Sequence, residues 1–274
     1  MNNQLVLSPN QCRQIIEYDN DSLANNDTNL VIELNENASL QFYLIQNLND
    51  EAKINRTIQV KQAPNSRLSM VIISFNGGNV ANNITVDLDG EGAEFRAYGL
   101  YLVDKKQHIE NYLKINHNVP HCTSEERFKG ILDDEATAVF NGHVYVAPNA
   151  QKTDAQQNNS NIILTSTAKV NSRPFLEIYA DDVKCSHGTS TGQLDQEALF
   201  YMRQRGISKA NARMLLMYAF AAEVSNHIDN ADLHEQIDDM IKRRLRGELT
   251  SCENCVLRCS HPKEYNFDID YSKI

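Results

Sequence analysis

The sequence predicts a mainly β protein that ends in a small α-helical domain. Short runs of β-branched and aromatic residues dominate 29–183, and turns rich in Asn or Gly separate them. Past Cys185 the pattern changes to helical spacing. The predicted strands cover 29–34, 39–45, 68–73, 84–88, 93–102, 136–140 and 176–180.

These strands begin with similar residue pairs at repeated intervals. A small or polar residue follows a turn residue at spacings of roughly 25 to 45 residues, which is typical of repeat folds. Repetition favours a coiled β-solenoid, although a β-sandwich also fits short strands joined by tight turns. The openings are Asn37-Ala38, Asn65-Ser66, Gly92-Ala93, Glu135-Ala136 and Thr167-Ala168.

Three helices are predicted beyond the strands. Asp195 is an expected N-cap and Gly206 an expected C-terminal stop for the first. Ser208 opens the second, whose apolar residues Ala212, Leu215, Leu216, Ala219 and Phe220 keep a helical period. The third carries Leu233, Ile237, Met240, Ile241 and Leu245, with basic residues before Gly247. The predicted divisions are a lead-in at 1–28, a β core at 29–190, a helical domain at 191–247 and a Cys-rich tail at 248–274.

Composition and charge narrow the function classes. The net charge of -10 argues against a nucleic-acid partner, because phosphate backbones attract a basic face. There is no apolar run of roughly 18 residues and no secretory leader pattern, so we expect a cytoplasmic protein outside the membrane. No P-loop, nucleophile elbow or His-Glu-x-x-His pattern occurs, so we do not expect an enzyme.

The tail contains the densest group of potential metal ligands. Cys252, Cys255, Cys259 and His261 lie within ten residues. Three thiolates and an imidazole can close a tetrahedral zinc site or hold part of an iron–sulfur cluster. A reduced tail without a metal is the alternative at this spacing.

A second pair of potential ligands is Cys185 and His187. They lie two residues apart, so on an extended segment both side chains share one face. Two donors are too few to close a site, so a buried thiol beside a loop histidine is the alternative. The segment 117–122 offers further His and Cys side chains, or a structural turn marked by proline. Asp181 and Asp182 suggest either a carboxylate pair for sugar chemistry or, more simply, a turn.

Several stretches from residue 117 onward resemble one known family. Residues 176–188 read Leu-Glu-Ile-Tyr-Ala-Asp-Asp-Val-Lys-Cys-Ser-His-Gly. With the stretches below, they make the chain similar to the SufB/SufD family of iron–sulfur cluster assembly proteins, and most similar to SufD. The other matching stretches are His117-Asn118-x-Pro120-x-Cys122-x-Ser124, Ala138-Val139-Phe140-Asn141-Gly142, Gln151-Lys152-Thr153-Asp154, Phe200-Tyr201-x-x-x-Arg205-Gly206-Ile207 and Tyr218-Ala219-Phe220-Ala221-Ala222-Glu223.

The resemblance implies a right-handed parallel β-helix followed by a helical C-terminal domain. It also implies a complex with a SufB-like paralogue, paired along the edges of the β-helices, and a SufC-like ATPase docked on the helices. The histidine of the Cys-Ser-His-Gly motif would face a SufB cysteine where a transient cluster forms, which assigns that role to His187. Cys185 shares the motif. ATP-driven motion of the helices would then open the site.

Two other functions remain open at this point. One is a self-sufficient homodimer that carries a cluster on the tail cysteines. The other is a carbohydrate-active β-helix enzyme, which the lack of Trp and of a secretory leader disfavours. Family members usually have a longer N-terminal region than this chain, and the tail from residue 248 lies outside the family pattern.

Overall fold

The structure, a computed structural model, describes residues 2–20 and 26–246. It contains fourteen β-strands and three α-helices within these residues. The strands are β1 (Asn2–Leu7), β2 (Cys12–Asp19), β3 (Asn26–Leu34), β4 (Ser39–Asn47), β5 (Lys53–Gln62), β6 (Arg67–Asn76), β7 (Asn79–Leu88), β8 (Glu94–Val103), β9 (His108–His117), β10 (Thr123–Leu132), β11 (Thr137–Val146), β12 (Asp154–Ile163), β13 (Lys169–Ile178) and β14 (Lys184–Gly192). The helices are α1 (Gln196–Gln204), α2 (Lys209–Ser225) and α3 (Ala231–Leu245).

The strands wind into a parallel β-solenoid. Odd-numbered strands form one seven-stranded sheet, the odd sheet, and even-numbered strands form a second, the even sheet. Consecutive strands therefore lie in different sheets, and neighbours within a sheet are parallel, as β10 and β12 are along their whole length. The predicted solenoid is confirmed, and the sandwich alternative is wrong, because its strands would pair antiparallel. In the segment 1–28, expected as a lead-in, β1 pairs with β3 and β2 pairs with β4.

Half of the strands were not predicted from the sequence, and in strands such as β5 the reason is that only alternate residues are apolar. In β5, Ile58 and Val60 are buried inside the solenoid, while Gln59 and Lys61 face water. This period of two places one face of each strand in the core. Three buried positions of β12, Gln157, Asn159 and Asn161, are themselves polar, so the sequence of that strand resembles a loop. The unpredicted strands are β1, β2, β5, β9, β10, β12 and β14.

The corners that lead from the odd to the even sheet are built alike. Asn37 and Asn65 adopt positive φ angles of 58° and 56°, which Asn tolerates better than most residues. The next residues, Ala38 and Ser66, are fully buried, so only a small side chain fits. Gly92-Ala93 repeats this arrangement, with φ 75° at the glycine. Three of the strand openings noted in the sequence are therefore corners of this stack, whereas Glu135-Ala136 and Thr167-Ala168 lead from the even to the odd sheet.

Both ends of α1 and the start of α2 follow their predicted caps, whereas Gly247, the predicted end of the third helix, lies outside the described residues. The Asp195 carboxylate accepts from two backbone N–H groups of α1, and the Ser208 hydroxyl accepts from Asn211 N of α2. Gly206 has φ 85°, a conformation that suits glycine beyond a helix end. Asn230 caps α3, a cap that the sequence patterns did not identify. In the described part of the chain, no helix is both long and apolar enough to span a membrane.

The three helices pack on the outer face of the even sheet. Outward-facing residues such as Val71 and Ile73 form a second core with them. The predicted apolar face of α3 is confirmed by the burial of Leu233, Ile237, Ile241 and Leu245. The predicted face of α2 is wrong in part, since Ala219 is exposed. Because α2 is apolar on most sides, its sequence did not distinguish the face that meets the sheet, which carries Ala212, Met214, Met217, Ala221 and Val224.

Helix α3 is fastened to the solenoid at both ends. Just before it, Asn230 Nδ2 donates to Gln14 Oε1 at 2.7 Å, and Asp229 Oδ2 accepts from Gln41 at 2.5 Å. At its last turn, the buried Arg244 guanidinium donates to Asp104 Oδ2 at 2.7 Å. The helical domain is thus tied to both the first and the middle rungs of the even sheet.

Candidate functional site

The last two strands leave an open end of the solenoid. β13 is the terminal strand of the odd sheet and β14 that of the even sheet, so within the described residues one edge of each is unpaired. Side chains that would be buried in an inner rung are partly exposed in both strands. An unpaired parallel edge presents free N–H and C=O groups that can pair with another chain.

Cys185 and His187 lie on β14 at this open end. Their register partners are Ala155 and Gln157, which both point into the solenoid. The two side chains therefore share the inward face, as their spacing predicts. His187 is exposed, while Cys185 is half-buried, and burial raises the pKa of its thiol. The thiol must therefore lose its proton before it can bind a metal.

The described part of the chain supplies few metal donors at any one place. No group of three or more His, Cys, Asp and Glu side chains lies close enough to hold a metal ion there. Cys185 and His187 are thus two potential donors on one face, a thiol and an imidazole, and both types of ligand bind iron. The tail residues Cys252, Cys255, Cys259 and His261 lie outside the described residues.

The segment 117–122 forms a structural turn. His117 is fully buried, its Nε2 lies 3.0 Å from Ser124 Oγ, and burial lowers its pKa to about 4. Cys122 is the small residue of a corner and its Sγ contacts Gly90 O at 3.3 Å. His121 is the positive-φ residue of that corner. These side chains point in different directions, so the turn interpretation is confirmed.

Asp181 and Asp182 also belong to a corner. They follow β13 in a bend and are exposed. The Asp182 carboxylate forms an ion pair with Lys152, and Asp182 N donates to Gln151 Oε1 at 2.9 Å. These contacts fasten the last corner to the one before it, and no feature of the pair indicates sugar chemistry.

A buried carboxylate lies behind His187 that sequence patterns did not single out. Glu126 on β10 is 1% exposed, and its Oε2 accepts from Gln157 Nε2 at 2.5 Å. Burial raises its pKa to about 7, while hydrogen bonds from Gln157 and Ser124 lower it. The only signal in the sequence is an acidic residue between Ser124 and Phe128 at an inward position of the strand.

We predict that Glu126 makes the chain less stable as the pH rises. The folded pKa of about 7 lies above the ordinary value of 4.5, so this group stabilises the fold below pH 4.5 and loses that contribution through pH 7. The loss amounts to about 3 kcal/mol in the free energy of unfolding. Glu126→Gln does not show this loss. The free energy of unfolding of the variant relative to that of the parent should therefore increase from pH 5 to pH 8.

Urea unfolding of both proteins at the two pH values tests this. The opposite effect of His117, whose pKa is lowered, is common to both chains and cancels in their difference. A stability difference that does not change with pH would show that Glu126 does not titrate in this range.

The comparisons with known proteins agree with this geometry. Residues 3–220 match the family model described as "SUF system FeS cluster assembly, SufBD core domain". The chain is 39% identical to the iron–sulfur cluster assembly protein SufD of Escherichia coli over 171 residues, which is 62% of this chain and 40% of that protein. An iron–sulfur cluster assembly SufBD family protein of Synechocystis is 33% identical over 82% of this chain and 47% of its own length.

A chloroplastic relative from Arabidopsis thaliana is 32% identical over 78% of this chain and 46% of its own length. The chain thus spans somewhat less than half the length of these relatives. The match to the family model covers most of the solenoid and extends into α2. The chain therefore belongs to the SufB/SufD family of the SUF iron–sulfur cluster assembly system, and within it is most like SufD.

Proposed function

We propose that the chain is a scaffold subunit of the SUF machinery in the cytoplasm rather than an enzyme. It would pair with a SufB-like paralogue, dock a SufC-like ATPase and contribute a ligand to the nascent iron–sulfur cluster, which is cargo and not a resident cofactor. The observation that carries the proposal is the position of Cys185 and His187 together on the inward face of an open, unpaired solenoid end.

The open end supports pairing with another solenoid. β13 and β14 contain ten and nine residues, long enough for an extended edge-to-edge ladder. Beside this edge, Phe175 is 57% exposed and Tyr179 is 58% exposed. Exposed aromatic side chains next to an unpaired edge are typical of a protein interface. A partner's last coil would cover them and enclose His187.

At the paired end, His187 would act as a metal ligand through one ring nitrogen. An imidazole nitrogen is a common ligand of iron. The raised pKa of the Cys185 thiol makes Cys185 a weaker donor until the metal or a partner's base removes its proton. With two donors from this chain, the remaining ligands would come from the partner.

Helix α1 supports docking of the ATPase. Phe200 and Tyr201 are 63% and 57% exposed, and Arg205 lies over the Tyr201 ring at 4.6 Å. Helix α3 is instead fastened to the solenoid through Asn230 and Arg244. Because α2 packs against both α1 and α3, a force applied by an ATPase at α1 would reach the solenoid through α2 and the contacts of α3, as an ATP-driven opening of the site requires.

An anaerobic pull-down of the tagged chain from its native cell, followed by mass spectrometry, tests the assembly role. We expect a SufB-like paralogue and a SufC-like ATPase in the eluate. The double variant Phe200→Ser/Tyr201→Ser should retain the paralogue and lose the ATPase. Recovery of neither protein with the unaltered chain would contradict the proposal.

The same open edge also fits a second copy of this chain, which is the alternative function. A homodimer would bring two sets of Cys185 and His187 together and would not need a paralogue. The mass and iron content of the chain purified without partners distinguish the two: a metal-bound dimer favours the self-sufficient scaffold, in which the tail cysteines could hold zinc or a cluster.

A further inference from the structure

An inward-facing column of three side chains ends at the open end of the solenoid. Glu126, Gln157 and His187 occupy the same position on β10, β12 and β14 and are opposite one another in register. Neighbouring strands lie about 4.8 Å apart, so each side chain of the column is adjacent to the next. Glu126 and Gln157 are buried, and His187 forms the exposed last rung.

The Gln157 amide is held in one orientation. Its Nε2 donates to Glu126 Oε2 at 2.5 Å. Above pH 7 the Glu126 carboxylate is ionised, and an ionised carboxylate can only accept hydrogen bonds. Gly142 on the facing sheet leaves the space that this amide occupies. A Cβ atom at Gly142 would lie 2.1 Å from Gln157 Nε2. The buried Glu126 carboxylate and the absence of a side chain at Gly142 therefore both determine the position of the Gln157 amide.

This orientation leaves an unused acceptor next to His187. Gln157 Oε1 is buried and has no hydrogen-bond partner. Buried acceptors are rarely left unpaired, because burial removes their hydrogen bonds to water. The side chain of His187, one rung away, is exposed to water and makes no hydrogen bond with the part of the chain that the structure describes.

We propose that Gln157 is a positioning residue for His187 and that Glu126 orients Gln157. When a partner covers the open end, a ring N–H of His187 donates to Gln157 Oε1, and the other ring nitrogen is left to face the cluster. This inference rests on the proposed role of His187 as a ligand. Metal-binding histidines commonly donate their second ring N–H to an acceptor in this way, which fixes the tautomer.

The variant Gln157→Met removes the acceptor at similar volume. Its matched control is Gln156→Met, a change at the neighbouring residue of β12, whose side chain is exposed on the outer face. The measured quantity is the tautomer of His187, which the ¹⁵N chemical shifts of the ¹⁵N-histidine-labelled chain report. The sample is the purified assembly of the chain with its partner, which is either a paralogue or a second copy. The parent and Gln156→Met should show one tautomer, and Gln157→Met a mixture.

Cluster assembly should fall about tenfold in Gln157→Met and remain at the parent rate in Gln156→Met. If Gln157→Met does not fold, Glu126→Gln provides the second test. This variant should also give a mixture of His187 tautomers, because a second amide at position 126 permits both orientations of the Gln157 amide. An unchanged tautomer in the folded variant overturns the inference, as does a changed tautomer with unchanged assembly. Failure of the proposed function itself would instead appear as unchanged assembly in His187→Ala.

Discussion

Replacement of Arg244 by Met is expected to lower the free energy of unfolding by ~3–5 kcal/mol, because it leaves a buried carboxylate without its partner. Arg244 is 7% exposed and Asp104 is 3% exposed. The guanidinium also donates to Phe75 O at 2.9 Å and to Leu102 O at 3.4 Å. All three acceptors belong to the solenoid, so the change also weakens the attachment of α3. Urea unfolding followed by circular dichroism measures the effect.

The matched control is Arg243→Met, at the preceding residue of the same helix. Arg243 is exposed and lies 3.8 Å from Asp239, a surface pair that contributes under about 1 kcal/mol. The double variant Arg244→Met/Asp104→Asn should recover part of the lost stability, since it removes the unpaired charge. Equal effects of the changes at 243 and 244 would contradict the role of Arg244 as the attachment of α3.

Replacement of His187 by Ala is expected to reduce cluster assembly by about 100-fold and to leave the complex with its partners intact. Changes to residues that only support a metal ligand typically lower metal affinity or activity by about 10–100-fold. Loss of the ligand itself should therefore lower cluster assembly by at least about 100-fold. His187 is exposed and lies on a terminal strand, so its removal should not unfold the solenoid. Cluster absorbance on anaerobic reconstitution and the mass of the complex provide the two measurements.

Two further variants locate the effect on β14. Ser186→Ala alters an outward-facing neighbour and should assemble clusters at the parent rate. Cys185→Ser tests the second donor, and we expect a smaller loss because the raised pKa of its thiol disfavours the thiolate. Full assembly by His187→Ala would remove this residue from the mechanism.

Much of the fold could be read from local patterns. Strands such as β6, whose core positions are apolar, were predicted, and so were the caps at Asp195 and Ser208. The corners at Asn37 and Asn65 were recognised because their turn chemistry repeats along the chain. The resemblance carried by 176–188 then distinguished a solenoid from a sandwich, which the strand patterns alone did not do.

Other features depend on contacts between distant residues. β12 was not predicted because its inward positions Gln157 and Asn159 are polar, and their amide N–H groups donate hydrogen bonds to residues of neighbouring rungs. The buried face of α2 was predicted in part wrongly because its apolar residues surround most of the helix. Glu126 was not identified from the sequence because a single Glu in a strand usually faces water.

By itself, the sequence determined the repeat, the helix caps and the position of Cys185 and His187 on one face, because each follows from residue types and their spacing along the chain. The family was indicated by the resemblance of 176–188 and the other matching stretches. Only the tertiary structure placed that face at an open end, set Gln157 and Glu126 behind His187, and tied Arg244 to Asp104. Glu126, Gln157 and His187 lie 31 and 30 positions apart and meet because the solenoid stacks each rung on the one before it. Arg244 meets Asp104, 140 positions away, because α3 packs on the outer face of the even sheet.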